Sequence, residues 1–163
     1  MDTGTGVPVF SFSGKRVLFV DTAKAKYTGL SNRLTKDGII CETSADTSGF
    51  LTKLKQEHYD LCILNLMIAG MGPNELISSV RSSSRNRDMK VVILTKQVHH
   101  LNIRNAIRAG ANDFVVDPFD EESVYHRIHY HLIPKRIVDI EALKDDGSLV
   151  PNEYVRLLLE VNE

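Results

Sequence analysis

The chain has 163 residues, of which 42% are hydrophobic and 25% charged, and these ordinary values exclude a disordered chain and a disulfide-dense mini-protein. Its 20 Lys and Arg residues balance 21 Asp and Glu residues, so the overall charge gives no reason to expect binding to nucleic acid or to an anionic membrane. The sequence has neither the roughly 18-residue apolar run of a membrane span nor the pattern of a signal peptide, and we expect a cytoplasmic protein.

Short apolar runs alternate along the chain with segments of helical spacing. The runs are rich in β-branched residues, too short for helices and bounded by polar residues, so they predict five strands. They are Arg16–Val20, Ile39–Cys41, Leu61–Leu64, Val91–Leu94 and Phe114–Val116. Because the runs are continuously apolar, the strands are predicted to be buried on both faces, as in a parallel sheet.

The segments between these runs predict five amphipathic helices. Their apolar positions are Leu30 and Leu34; Phe50, Leu51 and Leu54; Leu76, Ile77 and Val80; Leu101, Ile103, Ala106 and Ile107; and Val124, Ile128 and Leu132. Strands and helices in alternation predict an α/β fold of the (βα)₅ type with right-handed crossovers.

The two ends of the chain differ from this repeat. Residues 1–14 are rich in Gly, Ser and Thr and predict a flexible N-terminal arm, which leaves residues 15–133 as the α/β domain. Residues 134–163 are predicted to be a C-terminal, helical extension. Its last helix, over Pro151–Val161, has apolar residues around much of its circumference, so we expect it to need a partner surface.

In an open α/β sheet, functional residues collect beyond the carboxyl ends of the strands. Here those residues are Asp21-Thr22, Asn65, Thr95-Lys96 and Asp117-Pro118. With the stretches VLFVD, DLCILNLMIAGMG, VVILT and AGANDFVVDPF around them, they resemble the bacterial response-regulator receiver domain. The resemblance covers about residues 15–132. It implies a flavodoxin-like, doubly wound parallel sheet with strand order 2-1-3-4-5.

The resemblance also implies a phosphorylation site, and most of its residues are replaced in this chain. The family phosphorylates an aspartate after the third strand, where this chain has Asn65, and an amide is not the anionic nucleophile that forms an acyl phosphate. The acidic pair that holds Mg²⁺ in the family is Asp21-Thr22 here. The family's lysine before the proline is Asp117. The sequence is therefore interpreted as a degenerate member, a pseudo-receiver.

The remaining pocket positions are mixed. Thr95 matches the family's hydroxyl switch position, and Phe114 keeps the ring of the aromatic switch position without a hydroxyl. Lys96 stands where the family usually has a small residue. We expect its ammonium either to lie near Asp21 and Asp117 in place of a metal ion or to extend into solvent. The peptide bond before Pro118 is expected to be cis.

These losses predict a signalling or scaffold module that is not an enzyme, does not depend on phosphorylation and needs no cofactor or metal. The loosely spaced histidines, without a cysteine motif, do not predict a zinc site. The alternative is a switch that binds a small molecule or a cation in the altered pocket. Lys96, which would block a ligand, and Asp117, which repels anions, favour the first hypothesis.

The expected partner is another protein or a second copy of the chain. Receivers signal through the face formed by the fourth helix, fifth strand and fifth helix. The resemblance assigns to that face Val98, Ile103, Arg104, Ile107, Arg108, Tyr125, His126 and His129. The terminal extension is too short for a helix-turn-helix output domain, so this chain alone is not expected to bind DNA.

Overall fold

Five parallel strands form a single sheet. The structure, a computed structural model, describes residues 11–68, 71–96 and 100–133. The strands are β1 (Arg16–Val20), β2 (Ile40–Ser44), β3 (Leu61–Asn65), β4 (Lys90–Thr95) and β5 (Asp113–Val116). All neighbouring strands run parallel in the order β2-β1-β3-β4-β5. This order confirms the predicted flavodoxin-like, doubly wound fold.

Helices connect the strands at the predicted places. They are α1 (Thr28–Lys36), α2 (Thr47–Gln56), α3 (Pro73–Ser82), α4 (His100–Ala109) and α5 (Glu121–Leu132), and a short 3₁₀ helix (Lys24–Tyr27) precedes α1. Pro73 occupies the first turn of α3, where its missing N–H costs no helical hydrogen bond. Gly110 follows α4 with a φ of +119°, a conformation that favours glycine and ends the helix. None of the helices in the described ranges has the length and apolarity needed to cross a lipid bilayer.

The core has two layers, one on each face of the sheet. Alternate residues of β1 point to opposite faces, so Leu18 and Val20 pack with α2, α3 and α4, while Val17 and Phe19 pack with α1 and α5. Most of the predicted apolar positions of the helices are buried in these layers. Both cysteines are free thiols, Cys62 in the first layer and Cys41 at the border of the second, and burial raises the pKa of each.

The predicted terminal segments lie mostly outside the described residues, which begin at residue 11 and end at residue 133. Residues 11–14 belong to the predicted flexible arm, yet they contact the domain. The Phe12 ring meets the His129 ring edge-on with 4.5 Å between centroids. The Gly14 N–H donates to the Gly38 carbonyl at 2.9 Å. The end of the arm is therefore attached to the second core layer.

Candidate functional site

The carboxyl ends of four strands bring the predicted pocket residues together. Asp21 follows β1, Asn65 and Thr95 end β3 and β4, and Asp117 follows β5. The Asn65 Nδ2 donates to Asp21 Oδ2 at 3.0 Å. The Asp117 N–H donates to the Thr95 carbonyl at 2.7 Å. The bond between Asp117 and Pro118 is cis, as predicted.

Asp21 is a buried carboxylate with donors on both oxygens, and its side chain is only 2% exposed. Its Oδ1 accepts from the Ala23 N–H at 3.0 Å. Its Oδ2 accepts from the Tyr27 hydroxyl at 2.7 Å, in addition to the Asn65 amide. Burial by itself raises the pKa of Asp21, but these donors together with Lys26 bring that pKa below its ordinary value of 3.8. Asp21 is therefore ionised at neutral pH.

Lys26 lies between the two acidic residues of the pocket. Its Nζ is 3.1 Å from Asp21 Oδ2 and 3.1 Å from Asp117 Oδ2. Burial lowers the pKa of Lys26, but the two carboxylates raise it by more, so the pKa lies above its ordinary value of 10.5. Lys26 lies on the 3₁₀ helix, which is held beside the pocket because Ala23 and Tyr27, at its two ends, both donate to Asp21.

Tyr27, the next residue, is buried beneath the pocket. Its ring stacks on Phe19 at 4.6 Å and faces Phe119 at 5.8 Å between centroids. Burial and the hydrogen bond to Asp21 raise the pKa of Tyr27, so its hydroxyl remains a donor. Neither Lys26 nor Tyr27 is among the site residues predicted from the sequence. The available signal was the KAKY segment, which begins three residues beyond Asp21.

The structure decides between the two expectations for Lys96, whose side chain is exposed as in the second of them. A lysine ammonium does lie between Asp21 and Asp117, but it belongs to Lys26, while the Lys96 side chain is exposed. The difference has a local cause. Lys96 follows the buried last residue of β4 and is exposed, whereas Lys26, on the 3₁₀ helix, places its Nζ beside both carboxylates.

These residues do not fit a divalent cation of the kind that the family holds. Thr22 is exposed, and Asn65 contributes a neutral amide whose Oδ1 already accepts from the Met67 N–H at 2.8 Å. A hard cation such as Mg²⁺ takes carboxylate oxygens and waters as ligands, but both carboxylates here are paired with an ammonium. Within the ranges that the structure describes, no group of three or more His, Cys, Asp or Glu side chains could hold a metal ion.

The two switch positions lie at the edge of the core. Thr95 is buried, and Phe114 is half-buried against the first core layer. On the predicted interaction face, Val98 lies outside the described residues. Ile103 is buried and Ile107 is partly buried, whereas Arg104 and Arg108 are exposed. In α4, the two arginines are thus the predicted face residues that a partner can reach.

Two predicted face residues of α5 lie elsewhere. The Tyr125 hydroxyl donates to Asp37, the residue after α1, and His129 Nε2 lies 2.9 Å from the same carboxylate oxygen. Both therefore contact the α1 side of the domain. His126 is exposed and lies 3.0 Å from Glu122 on its own helix. The assignment of Tyr125 and His129 to the outer face was wrong.

The flank of α5 that faces β5 carries different residues. Arg127 donates to the Phe114 carbonyl at 2.6 Å, and His131 Nε2 lies 3.0 Å from Asp113 Oδ2. The reason is helical periodicity. Val124 and Ile128 face the core. Tyr125 and His129, which follow them, therefore turn to the α1 flank, whereas Arg127 and His131, which precede Ile128 and Leu132, turn to the β5 flank.

The family described as the response regulator receiver domain matches residues 17–129. The chain belongs to this family. It is 29% identical over 121 residues to the two-component response regulator PhoP of Pseudomonas aeruginosa, an alignment that covers 74% of this chain and 52% of that protein. It is 27% identical over 133 residues to the response regulator ArlR of Staphylococcus haemolyticus, covering 80% of this chain and 59% of that protein. The receiver chain thus spans between half and three fifths of these relatives.

Solved structures agree with the fold of this receiver. The chemotaxis response regulator CheY4 of Vibrio cholerae superimposes with a TM-score of 0.66 at 24% identity, over 72% of this chain and 98% of that one. A response regulator from Thermotoga maritima gives a TM-score of 0.64 at 26% identity, over 72% of this chain and 97% of that one. Residues 17–129 thus form a response regulator receiver domain in both sequence and fold.

Proposed function

We propose that this receiver signals without phosphorylation, as a pseudo-receiver that acts through contacts with another protein. The observation that carries the proposal is Asn65 at the phosphoacceptor position. Its amide donates to Asp21 at 3.0 Å, and its oxygen accepts from the Met67 N–H at 2.8 Å. A neutral amide with both ends engaged is not a nucleophile for phosphoryl transfer.

The charges of the pocket support the same proposal. A phosphoryl group brings negative charge and needs nearby cations. Here Asp117 adds a negative charge at the family's lysine position, and the cation in reach, Lys26, is already paired with Asp21 and Asp117. Two carboxylates against one ammonium leave one negative charge in the pocket, which repels a further anion.

We infer that the partner contact uses the outer surface of α4, β5 and the β5-facing flank of α5. Arg104 and Arg108 are exposed on α4, and Val116 at the end of β5 is 38% exposed. A second copy of the chain or another cytoplasmic protein is the expected partner. Tyr125 and His129 are not part of this surface because their side chains contact α1 instead.

The direct test exposes the full chain to Mg²⁺ and acetyl phosphate and records the intact mass and the amide NMR spectrum. We expect no phosphoryl adduct. We also expect no saturable shifts at Asp21, Asn65, Thr95 or Phe114 when beryllofluoride, a phosphoryl mimic, is added. A stable adduct on the wild-type chain would refute the proposal. Saturable shifts without an adduct would favour the ligand-controlled switch.

A single reverting substitution gives a sharper prediction. Asn65→Asp restores the nucleophile, but we expect no acyl phosphate because Thr22 and Asp117 still lack the chemistry for metal and phosphoryl binding. Combining it with Thr22→Asp, Asp117→Lys and Lys26→Met, which also removes the ammonium beside Asp21, is the positive control, read out by intact mass after the same treatment. Robust phosphorylation of the single variant would show that the other replacements do not disable the site.

A further inference from the structure

We infer that Lys26 is the resident cation of the pocket, and that its ammonium keeps divalent metal ions from binding between Asp21 and Asp117. The inference deepens the proposed function and rests on it, since it concerns the same pocket. It concerns which cation pairs with the two carboxylates, whereas the proposed function concerns whether Asn65 can be phosphorylated.

The position of the ammonium is the first observation. Its Nζ is equally distant, 3.1 Å, from one oxygen of each carboxylate. The three side chains are 22% exposed at Lys26, 2% at Asp21 and 14% at Asp117, so water screens this contact far less than an ion pair on the open surface. Two carboxylates this close to one another need a cation between them to stay ionised together.

The second observation is how firmly the 3₁₀ helix that carries Lys26 is attached. The residue before this helix donates its backbone N–H to Asp21 Oδ1, and the last residue of the helix donates its hydroxyl to Asp21 Oδ2. The ring of that last residue, Tyr27, is buried in an aromatic stack. The segment is therefore fixed at both ends to the carboxylate that Lys26 pairs with, and the ammonium is held in place before any ligand arrives.

A metal ion would have to compete with this arrangement. A divalent cation bound by the two carboxylates would lie within a few ångströms of the Lys26 charge, and two positive charges at that distance repel strongly in a partly buried site. Displacing Lys26 would require the ammonium to leave both carboxylates while its helix stays anchored. Asn65 is neutral, so it offers no negative charge that would offset the repulsion between the metal ion and Lys26 or the displacement of Lys26.

The test measures the binding of Mg²⁺ alone, without any phosphoryl donor, to the full chain and three variants. Lys26→Met removes the ammonium and keeps the side-chain bulk, and Lys26→Arg keeps the charge. Lys24→Met removes an exposed charge from the same 3₁₀ helix and is the matched control. Affinities come from amide NMR titration, with Mn²⁺ broadening of the signals near Asp21 and Asp117 to locate the ion.

We expect Lys26→Met to bind Mg²⁺ at least about tenfold more tightly than the wild type, because a neighbouring positive charge has been removed. Lys26→Arg and Lys24→Met should bind as weakly as the wild type. Should the Met variant fail to fold, Lys26→Gln, which keeps a donor without the charge, gives the same comparison. Equal affinity of the wild type and a folded Lys26→Met, or an equal gain in Lys24→Met, would overturn the inference.

The outcome is separable from that of the proposed function. A wild-type chain that forms an acyl phosphate would refute the proposed function, whereas the Mg²⁺ comparison contains no reaction. A wild-type chain that binds Mg²⁺ at the two carboxylates but gains no phosphoryl group would refute the role of Lys26 and leave the proposed function standing.

Discussion

Asp21 shows how a buried charge can be held by several weak partners at once. Its two oxygens receive a backbone N–H, a phenol, an amide and an ammonium. Burial alone would raise the pKa of this carboxyl, and the donors outweigh that effect. Removing one donor leaves a charge that remains buried with fewer partners, which costs more than the loss of an exposed hydrogen bond.

Tyr27→Phe tests this at a single residue. The aromatic stack on Phe19 and Phe119 is kept, so the variant removes only the hydroxyl that donates to Asp21. We expect a loss of about 1.5–3 kcal/mol in the free energy of unfolding, the range for a hydrogen bond to a charged group. Urea unfolding measures it, with Lys24→Met, an exposed change in the same turn, expected within about 0.5 kcal/mol of the wild type. A Tyr27→Phe variant as stable as the control would contradict this description of the site.

The residues of this site divide into those that the sequence could predict and those that it could not. The predictable residues follow apolar runs, and parallel strands bring their carboxyl ends to one edge of the sheet whatever the conformation of the loops. They are Asp21, Asn65, Thr95 and Asp117. Lys26 lies five residues beyond Asp21, in the connection between β1 and α1. Its position depends on the 3₁₀ helix, which apolar periodicity does not predict, whereas Lys96 directly follows a strand and was the lysine expected either near the carboxylates or in solvent.

At the scale of elements, β2 illustrates the same limit. The apolar run predicted a strand over Ile39–Cys41, whereas the strand spans Ile40–Ser44. Its second half is polar because β2 is an edge strand whose Glu42 pairs with Arg16 and Lys53. An edge strand needs backbone pairing on one side only and accepts charged side chains. The hydrophobic pattern therefore predicts the positions of the central strands well but gives β2 too short a length.

One flank of helix α5 contacts the α1 side of the domain, and two variants compare the stability contributed by this flank with that of the exposed face. Tyr125→Phe removes the hydroxyl that donates to Asp37 and should lower the free energy of unfolding by about 1 kcal/mol, since the contact is only part-buried. His126→Ala, one residue further on the exposed face, should change it by less than about 0.5 kcal/mol. Hydrogen exchange of the α5 amides locates the loss. A larger effect at His126 would contradict the assignment of the flanks.

For the whole molecule, the fold follows from the alternation of two kinds of apolar pattern. The central strands are buried on both faces, so their sequences are continuously apolar, and the helices bury only a stripe. Each pattern is set by burial and does not depend on the pocket. The pocket residues Thr22, Asn65 and Asp117 therefore leave the sheet order and both core layers of the receiver fold unaffected.

Charged contacts between distant segments make the stability of the whole domain depend on pH. Hydrogen bonds from Tyr125 and His129 bring the pKa of Asp37 below its ordinary value of 3.8. Burial raises the pKa of Glu42, but Arg16 and Lys53 outweigh that effect and bring it below the ordinary value of 4.5. Asp21 behaves in the same way. A carboxyl with a lowered pKa in the folded state stabilises the fold above its unfolded pKa. That contribution is lost as the pH falls through the folded value, because the unfolded chain binds protons first.

We therefore expect the free energy of unfolding to fall progressively once the pH drops below about 5, where these carboxyls begin to protonate in the unfolded chain. Urea unfolding at several pH values between neutrality and about pH 3 measures the slope. Asp21→Asn should lower stability at neutral pH and reduce the acid slope, because the proton-linked group is gone while the others remain. An acid slope that is unchanged in this variant would mean that Asp21 does not couple the pocket to the stability of the domain.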